Sequence, residues 1–161
     1  MTSVLNCLLT FLVSMSMMTT TNVNIQKDII NSSEFNKDYT IYQEFFYDFN
    51  GDDFEDHIVL YTSAEKDKNG EFMWDDGQHW SLVVEIDDKK YDLYSTYLHG
   101  DMEFDMIELY KGEEVIPSVR LSVNGWAGIQ IYHYDYKNGV FESQKMYDTS
   151  DYIDNGINVL N

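Results

Sequence analysis

From residue 40 onward the chain alternates short runs rich in Val, Ile, Tyr and Phe with clusters of Asp, Asn, Gly and Lys. Runs of this kind between turn-forming residues predict β-strands at 40–49, 57–63, 80–86, 90–97, 106–110, 115–123, 129–136 and 140–146. Two segments show the two-residue period of a half-buried sheet. Val119, Leu121 and Val123 alternate with Ser118, Arg120 and Ser122, and Ile129 and Ile131 alternate with Gln130 and Tyr132. Asn138-Gly139 in "YKNGVF" predicts a tight hairpin, because a type I′ turn needs positive φ at both central residues. "EIDDKKYDLY" predicts a second one, and Pro117 falls near the start of its strand, where one lost donor is tolerated. No apolar stripe of 3.6-residue period follows the N-terminal segment. The expected fold class is therefore all-β, with antiparallel sheets that are propeller-blade-like or form a small sandwich, behind an N-terminal apolar helix or signal segment.

The first 26 residues carry no charged side chain, and "VLNCLLTFLV" at 4–13 has the length of a signal-peptide core, shorter than a membrane span. Small residues at Ser14 and Ser16 offer a cleavage site. The expected organisation is a signal peptide at 1–20, a polar Asn-, Ser- and Thr-rich linker at 21–38 and one all-β domain at 39–161, exported to an extracellular or cell-surface location. A buried N-terminal helix or strand is the alternative use of the same residues. Cys7, the one cysteine, lies in this segment, so a processed chain forms no intramolecular disulfide.

Charge narrows the list of partners. Lys and Arg total 10 against 29 Asp and Glu, a formal net charge of −19, which repels phosphate backbones and anionic lipids. Nucleic acid and membrane surfaces beyond the signal segment are excluded as expected partners. The acidity does not mark disorder, since 16% of residues are aromatic and 43% hydrophobic, enough for a packed interior.

The acids concentrate in "YDFNGDDFEDHIVLY" at 47–61, just ahead of an apolar strand. Counting from Asp48, the loop offers Asp48, Asn50, Asp52 and Asp56 at positions 1, 3, 5 and 9, with the backbone carbonyl of Phe54 at position 7. Alternate residues of a tight loop can converge oxygens on one centre, and Ca²⁺ takes six to eight of them. Position 12 is Val59 and both flanks read as strands, so this is not an EF-hand. An Asp- and Asn-rich turn capping its own backbone is the other reading of these residues.

The loop resembles the "DxNGDxxxD" calcium loops of FG-GAP and VCBS-type secreted bacterial proteins, here in a single copy over about 15 residues. The hairpin "YHYDYKNGVF" at 132–141 extends the likeness. The resemblance implies a bound structural Ca²⁺ held by Asp48, Asn50, Asp52, Phe54 and Asp56, and export. Asp53 stands where the family usually has Gly, and must accept an unusual backbone conformation. About eight strands are too few to close a propeller.

Other candidates are weaker. Tyr132, Tyr134 and Tyr136 share one face by alternation, a candidate binding face for a glycan or a cell-surface protein if it is exposed. Asp101, Glu103 and Asp105 read as a solvated strand edge. His57, His79, His99 and His133 are scattered, and H-E-x-x-H, G-x-S-x-G, P-loop and C-x-x-C signatures are absent from the sequence. The expectation is a non-enzymatic, exported acidic domain with a structural Ca²⁺ and a surface or adhesive role. Its rivals are a carbohydrate- or protein-binding module, a secreted hydrolase, and an intracellular inhibitor or immunity-type protein.

Overall fold

The computed structural model describes residues 28–31 and 38–151. Nine strands follow one another: β1 (Asp28–Ile30), β2 (Thr40–Tyr47), β3 (Asp56–Thr62), β4 (Gln78–Ile86), β5 (Lys89–Leu98), β6 (Gly100–Lys111), β7 (Glu114–Gly125), β8 (Gly128–Lys137) and β9 (Val140–Asp148). All pairings are antiparallel and build two sheets, ordered β1-β9-β8-β7-β6 and β2-β3-β4-β5. Each sheet contains a four-strand meander, the cheapest connectivity for consecutive strands because every link is a local hairpin. The all-β, antiparallel expectation holds. Among the described residues no helix is long and apolar enough to cross a membrane. The expected N-terminal signal or helix falls outside the described residues.

The core lies between the sheets. One sheet contributes Ile58, Leu60, Trp80, Leu82, Val84, Ile86, Tyr91 and Leu93, and the other Met102, Phe104, Val119, Leu121, Val123, Tyr134 and Phe141. The alternation read at 118–123 is the reason: Val119, Leu121 and Val123 face this interior, while Arg120 on the other face pairs with exposed Asp105 of β6. Trp80, Tyr91, Tyr134 and Phe141 join the same packing, the aromatic share of the core that lets an acidic chain fold.

Two elements differ from the expectation. The stretch read as a linker contains β1, whose Ile30 packs against the core as the strand adds to the edge of β9. Three residues are too short to register as a period. The strand expected at 106–110 begins six residues earlier, at Gly100. Asp101, Glu103 and Asp105 are exposed on it, alternating with buried Met102 and Phe104, so the acids are the solvent face of a strand and not a separate loop.

Only His99 separates β5 from β6, yet these strands belong to different sheets. The chain turns this corner at Gly100, whose φ is +155°; a Cβ there would lie 1.9 Å from the carbonyl oxygen of Asn124. Only glycine fits such an approach. The hairpins use the expected chemistry: Asn138 and Gly139 have φ of 53° and 78°, and Asp87 and Asp88 reach 48° and 63° at the β4–β5 turn.

Candidate functional site

The loop between β2 and β3 sits at the end of the domain that also carries the β4–β5 and β8–β9 turns. Its path is set by two residues with left-handed backbones, Gly51 at φ 76° and Asp53 at φ 69°. Asp53 thus adopts a left-handed backbone, which Asp tolerates better than most side chains.

Asp48 organises the turn. Its Oδ1 accepts the N–H groups of Gly51 (2.7 Å) and Asp52 (3.2 Å), and its Oδ2 that of Asp53 (3.0 Å). Partial desolvation works against the charged form, but the amides of Asp53, Gly51 and Asp52 outweigh it and hold the carboxyl below the usual aspartate range. Asn50 Oδ1 accepts from Asp52 N, and Asp52 Oδ1 from Phe54 N. The loop therefore closes on its own amides, as an Asp/Asn-rich turn does.

The Asn50 amide nitrogen donates to Asp52 Oδ2 and, across the domain end, to Asp87 Oδ2, both at 3.1 Å. The weakly positive NH₂ group stands between two carboxylates. Asp87 was not legible from the loop's spacing, since it comes from another hairpin 37 positions away. The first of two adjacent acids at a tight turn, "DD" in "EIDDKKYD", was the available signal.

Asp56 begins β3 with its carboxylate turned inward, 7% exposed, and its Oδ2 accepts the Phe49 N–H at 2.9 Å. Burial pushes its pKa up, against the pull of the Phe49 amide, and the charges of Asp52, Asp48 and Asp87 push it further. The charges of Asp48, Asp52 and Asp87 all act on Asp56, and among the described residues no Lys or Arg pairs with any of the four. The Phe54 side chain is exposed, leaving its backbone as the part able to face the loop centre. A cavity of about 360 Å³ borders the loop at Phe49 and Asn50 and reaches Glu114, Tyr136 and Asn138.

The carboxylate oxygens of Asp48, Asp52, Asp56 and Asp87 are of the kind a hard cation takes, while Asn50 turns its NH₂ group toward Asp52 and Asp87. Asp48, Asn50 and Asp52 are brought together, Asp56 lies behind them, and Asp87 joins from the side. Among the described residues no three His, Cys, Asp or Glu side chains form a ready-made metal shell.

A second stretch has the same spacing and was missed. "DKNGEFMWD" at 67–75 repeats Asp, Asn, acid and Asp at positions 1, 3, 5 and 9. The structure folds it as a hairpin, with Met73 N donating to Glu65 O and Lys66 bridged to Phe72. Asp67 accepts the N–H groups of Glu71 and Asn69, which lower its pKa, and Asp75 lies at the other end of the hairpin.

The tyrosine face points inward. Tyr134 is 1% exposed, and Tyr132 and Tyr136 pack half-buried against the core. The alternation placed the three correctly on one face, but that face packs into the core between the sheets, while Ile129 on the other face is exposed. Aromatics that do reach solvent include Tyr42, Phe46, Phe54, Trp74, Tyr110 and Trp126. The four histidines make local contacts, such as His57 stacked on Phe46 at 4.5 Å and bonded to Glu44.

Comparison with known proteins returned no match to a family model, to a curated protein or to a solved structure.

Proposed function

We propose that this chain is an exported, acidic, non-enzymatic β-domain of small-sandwich type whose 48–56 loop takes a structural Ca²⁺ and whose role is at the cell surface or outside the cell, as an adhesive or structural module. The observation that carries the reading is Asp56: a buried carboxylate at the base of the acidic loop, under the negative charge of Asp52, Asp48 and Asp87, with no cationic side chain paired to it among the described residues. Such a cluster stores repulsion that a divalent cation removes.

Asp48, Asn50, Asp52, the Phe54 carbonyl and Asp56 would hold the ion, with Asp87 adding charge from β4–β5. Bound there, Ca²⁺ supplies charge neutralisation and ties the β2–β3 loop to the neighbouring hairpin. The amide of Asn50, now donating to Asp52 and Asp87, would present its oxygen instead. Millimolar calcium outside cells matches the about 10⁻⁴ to 10⁻³ M dissociation constants of extracellular modules. The likeness of "DFNGDDFED" to FG-GAP and VCBS-type loops supports the same ion.

Calcium titration of the full chain, followed by amide chemical shifts, tests it. The reading expects saturation at Gly51, Asp52 and Asp53, absent in Asp52→Ala and not reproduced by equal Mg²⁺. Unmoved amides at 10 mM Ca²⁺ would leave the loop a polar turn.

A further inference from the structure

At the end of the domain opposite the 48–56 loop, the start of β4, the β5–β6 corner and the β7–β8 turn meet. His79, Tyr97 and His99 form an exposed line of rings there, the Tyr97 ring lying edge-on to His79 at 5.0 Å and to His99 at 5.5 Å. Trp126 adjoins them, because its N–H donates to the His99 carbonyl at 3.2 Å. At 87% exposed it is the most exposed large hydrophobic side chain among the described residues.

This display is held in place. His99 Nδ1 bonds to the Asp76 carbonyl, tying the corner to the loop ahead of β4. Tyr97 packs so closely on Gly77 that a Cβ there would lie 2.6 Å from its hydroxyl oxygen. Beyond Trp126, the Ile129 N–H donates to Thr149 Oγ1 at 3.0 Å, and the Thr149 N–H to the Ile129 carbonyl at 3.1 Å. The turn is thus bonded on both sides of a side chain that the fold leaves unburied. Aromatics on a rigid support lose little freedom when a partner covers them, and Trp and Tyr are enriched in binding hot spots.

Charge decides what the partner carries. No Lys or Arg occurs in 69–88, 91–110 or 121–136, the stretches that supply these rings. Asp75 and Asp76 precede Gly77 and Asp101 follows Gly100; all three are exposed and form no ion pair among the described residues. Lys145 of β9 is engaged by Asp148 and Asp151. In a chain of net charge −19, such a surface repels a second copy of itself and favours a cationic partner.

Arginine suits every feature of it, since its planar guanidinium stacks on aromatic rings, forks onto carboxylates and trails an apolar stem. A cavity of about 310 Å³ offers that stem an apolar wall: Leu98, between Tyr97 and His99, lines it with Val123, Gly125 and Ala127. A line of rings fits an extended chain better than a compact molecule. We infer that the His79–Tyr97–His99–Trp126 surface docks an extended, arginine-rich segment of another protein. The surface shares no residue with the 48–56 loop and does not depend on calcium there.

Calorimetric titration of the full chain in EDTA, with a synthetic peptide of alternating Arg and Ser and its neutral citrulline counterpart as probes, tests the proposal beside amide chemical shifts. The arginine peptide should bind saturably, shift amides at 97–101 and 125–128, and bind less tightly as salt is added, while the citrulline peptide should not bind. Trp126→Ala should weaken binding about tenfold, and the fold should survive because the side chain is exposed. Asp101→Asn should weaken it severalfold. Asp52→Asn removes the same charge at the other end of the domain, and Tyr110→Ala an exposed ring at the far end of β6, so both should bind as the unmodified chain does. No saturable arginine peptide, equal binding of the citrulline peptide, shifts spread over the whole acidic surface, or equal losses in Asp52→Asn and Asp101→Asn would overturn it.

Discussion

Gln43 of β2 clasps the backbone of Phe104 of β6 through both ends of its amide: Nε2 donates to the Phe104 carbonyl at 2.8 Å, and Oε1 accepts the Phe104 N–H at 3.1 Å. The two strands are the edges of different sheets, so one side chain does for two backbone groups what a further strand would do. A bulge at 41–43 turns Gln43 toward that edge. Tyr47 OH reinforces the seam by donating to Glu108 at 3.2 Å. Edge groups that would otherwise invite pairing with another chain are thereby occupied.

Gln43→Leu should therefore cost about 1 to 3 kcal/mol, the penalty for stranding partly buried backbone groups. Urea denaturation checks this. The midpoint should fall with the slope unchanged, and an unaltered midpoint would mean that water replaces the amide freely.

Gly100→Ala should destabilise by at least about 3 kcal/mol, because the corner needs φ of +155° and leaves 1.9 Å to the Asn124 carbonyl. Gly70→Ala, at φ +86° with open space around it, makes the control: strained backbone without the collision. Thermal midpoints should separate the two, the Gly100 variant falling further.

Asp148 carries the acid-sensitive end of β9. It is 5% exposed and accepts from Ser150 Oγ, Ser150 N, Gln130 Nε2 and Lys145 Nζ at 2.7 to 3.0 Å. The Ser150 hydroxyl leads these donors, which overcome burial and hold its pKa far below the ordinary value. A depressed carboxylate stabilises the fold above its unfolded pKa of about 3.9, and that stability drains as pH falls toward the folded value. Asp148→Asn should accordingly lower stability at pH 7, and the difference from the unmodified chain should shrink below pH 4. Equal acid-unfolding curves would contradict this.

Asp56 has the opposite sign. Its folded pKa lies above the unfolded one, so its favourable contribution is complete below the unfolded pKa and disappears as pH rises through the folded value. At neutral pH without calcium the charge opposes folding. Asp56→Asn keeps an oxygen for the Phe49 N–H and removes that charge. Its thermal midpoint in EDTA at pH 7 should exceed that of the unmodified chain and converge with it near pH 3, while its response to calcium disappears. A lower midpoint in EDTA at pH 7 would mean that the carboxylate is held by something other than an ion.

How much of this was legible in the sequence follows from what fixes each feature. Strand identity and the hairpins at Asn138-Gly139 and Asp87-Asp88 depend on local φ preferences, and they read correctly. The inward turn of Tyr132, Tyr134 and Tyr136 did not, since alternation separates two faces without saying which one meets the other sheet. The Gln43 clasp, Asp87 beside Asn50, and Trp126 beside His99 join residues from separate elements. No spacing along one segment encodes such meetings. The short β1 escaped because three residues carry no period.

The central claim concerns the 48–56 loop, and the most direct measurement is a thermal melt of the full chain in EDTA and in millimolar Ca²⁺, beside Asp48→Ala and Asp52→Ala. Binding to the folded state alone at a hundredfold excess over the dissociation constant adds about 2.7 kcal/mol. The account predicts a midpoint raised by several degrees in the unmodified chain and unmoved in both variants. A midpoint indifferent to calcium, or raised equally in all three proteins, would contradict it.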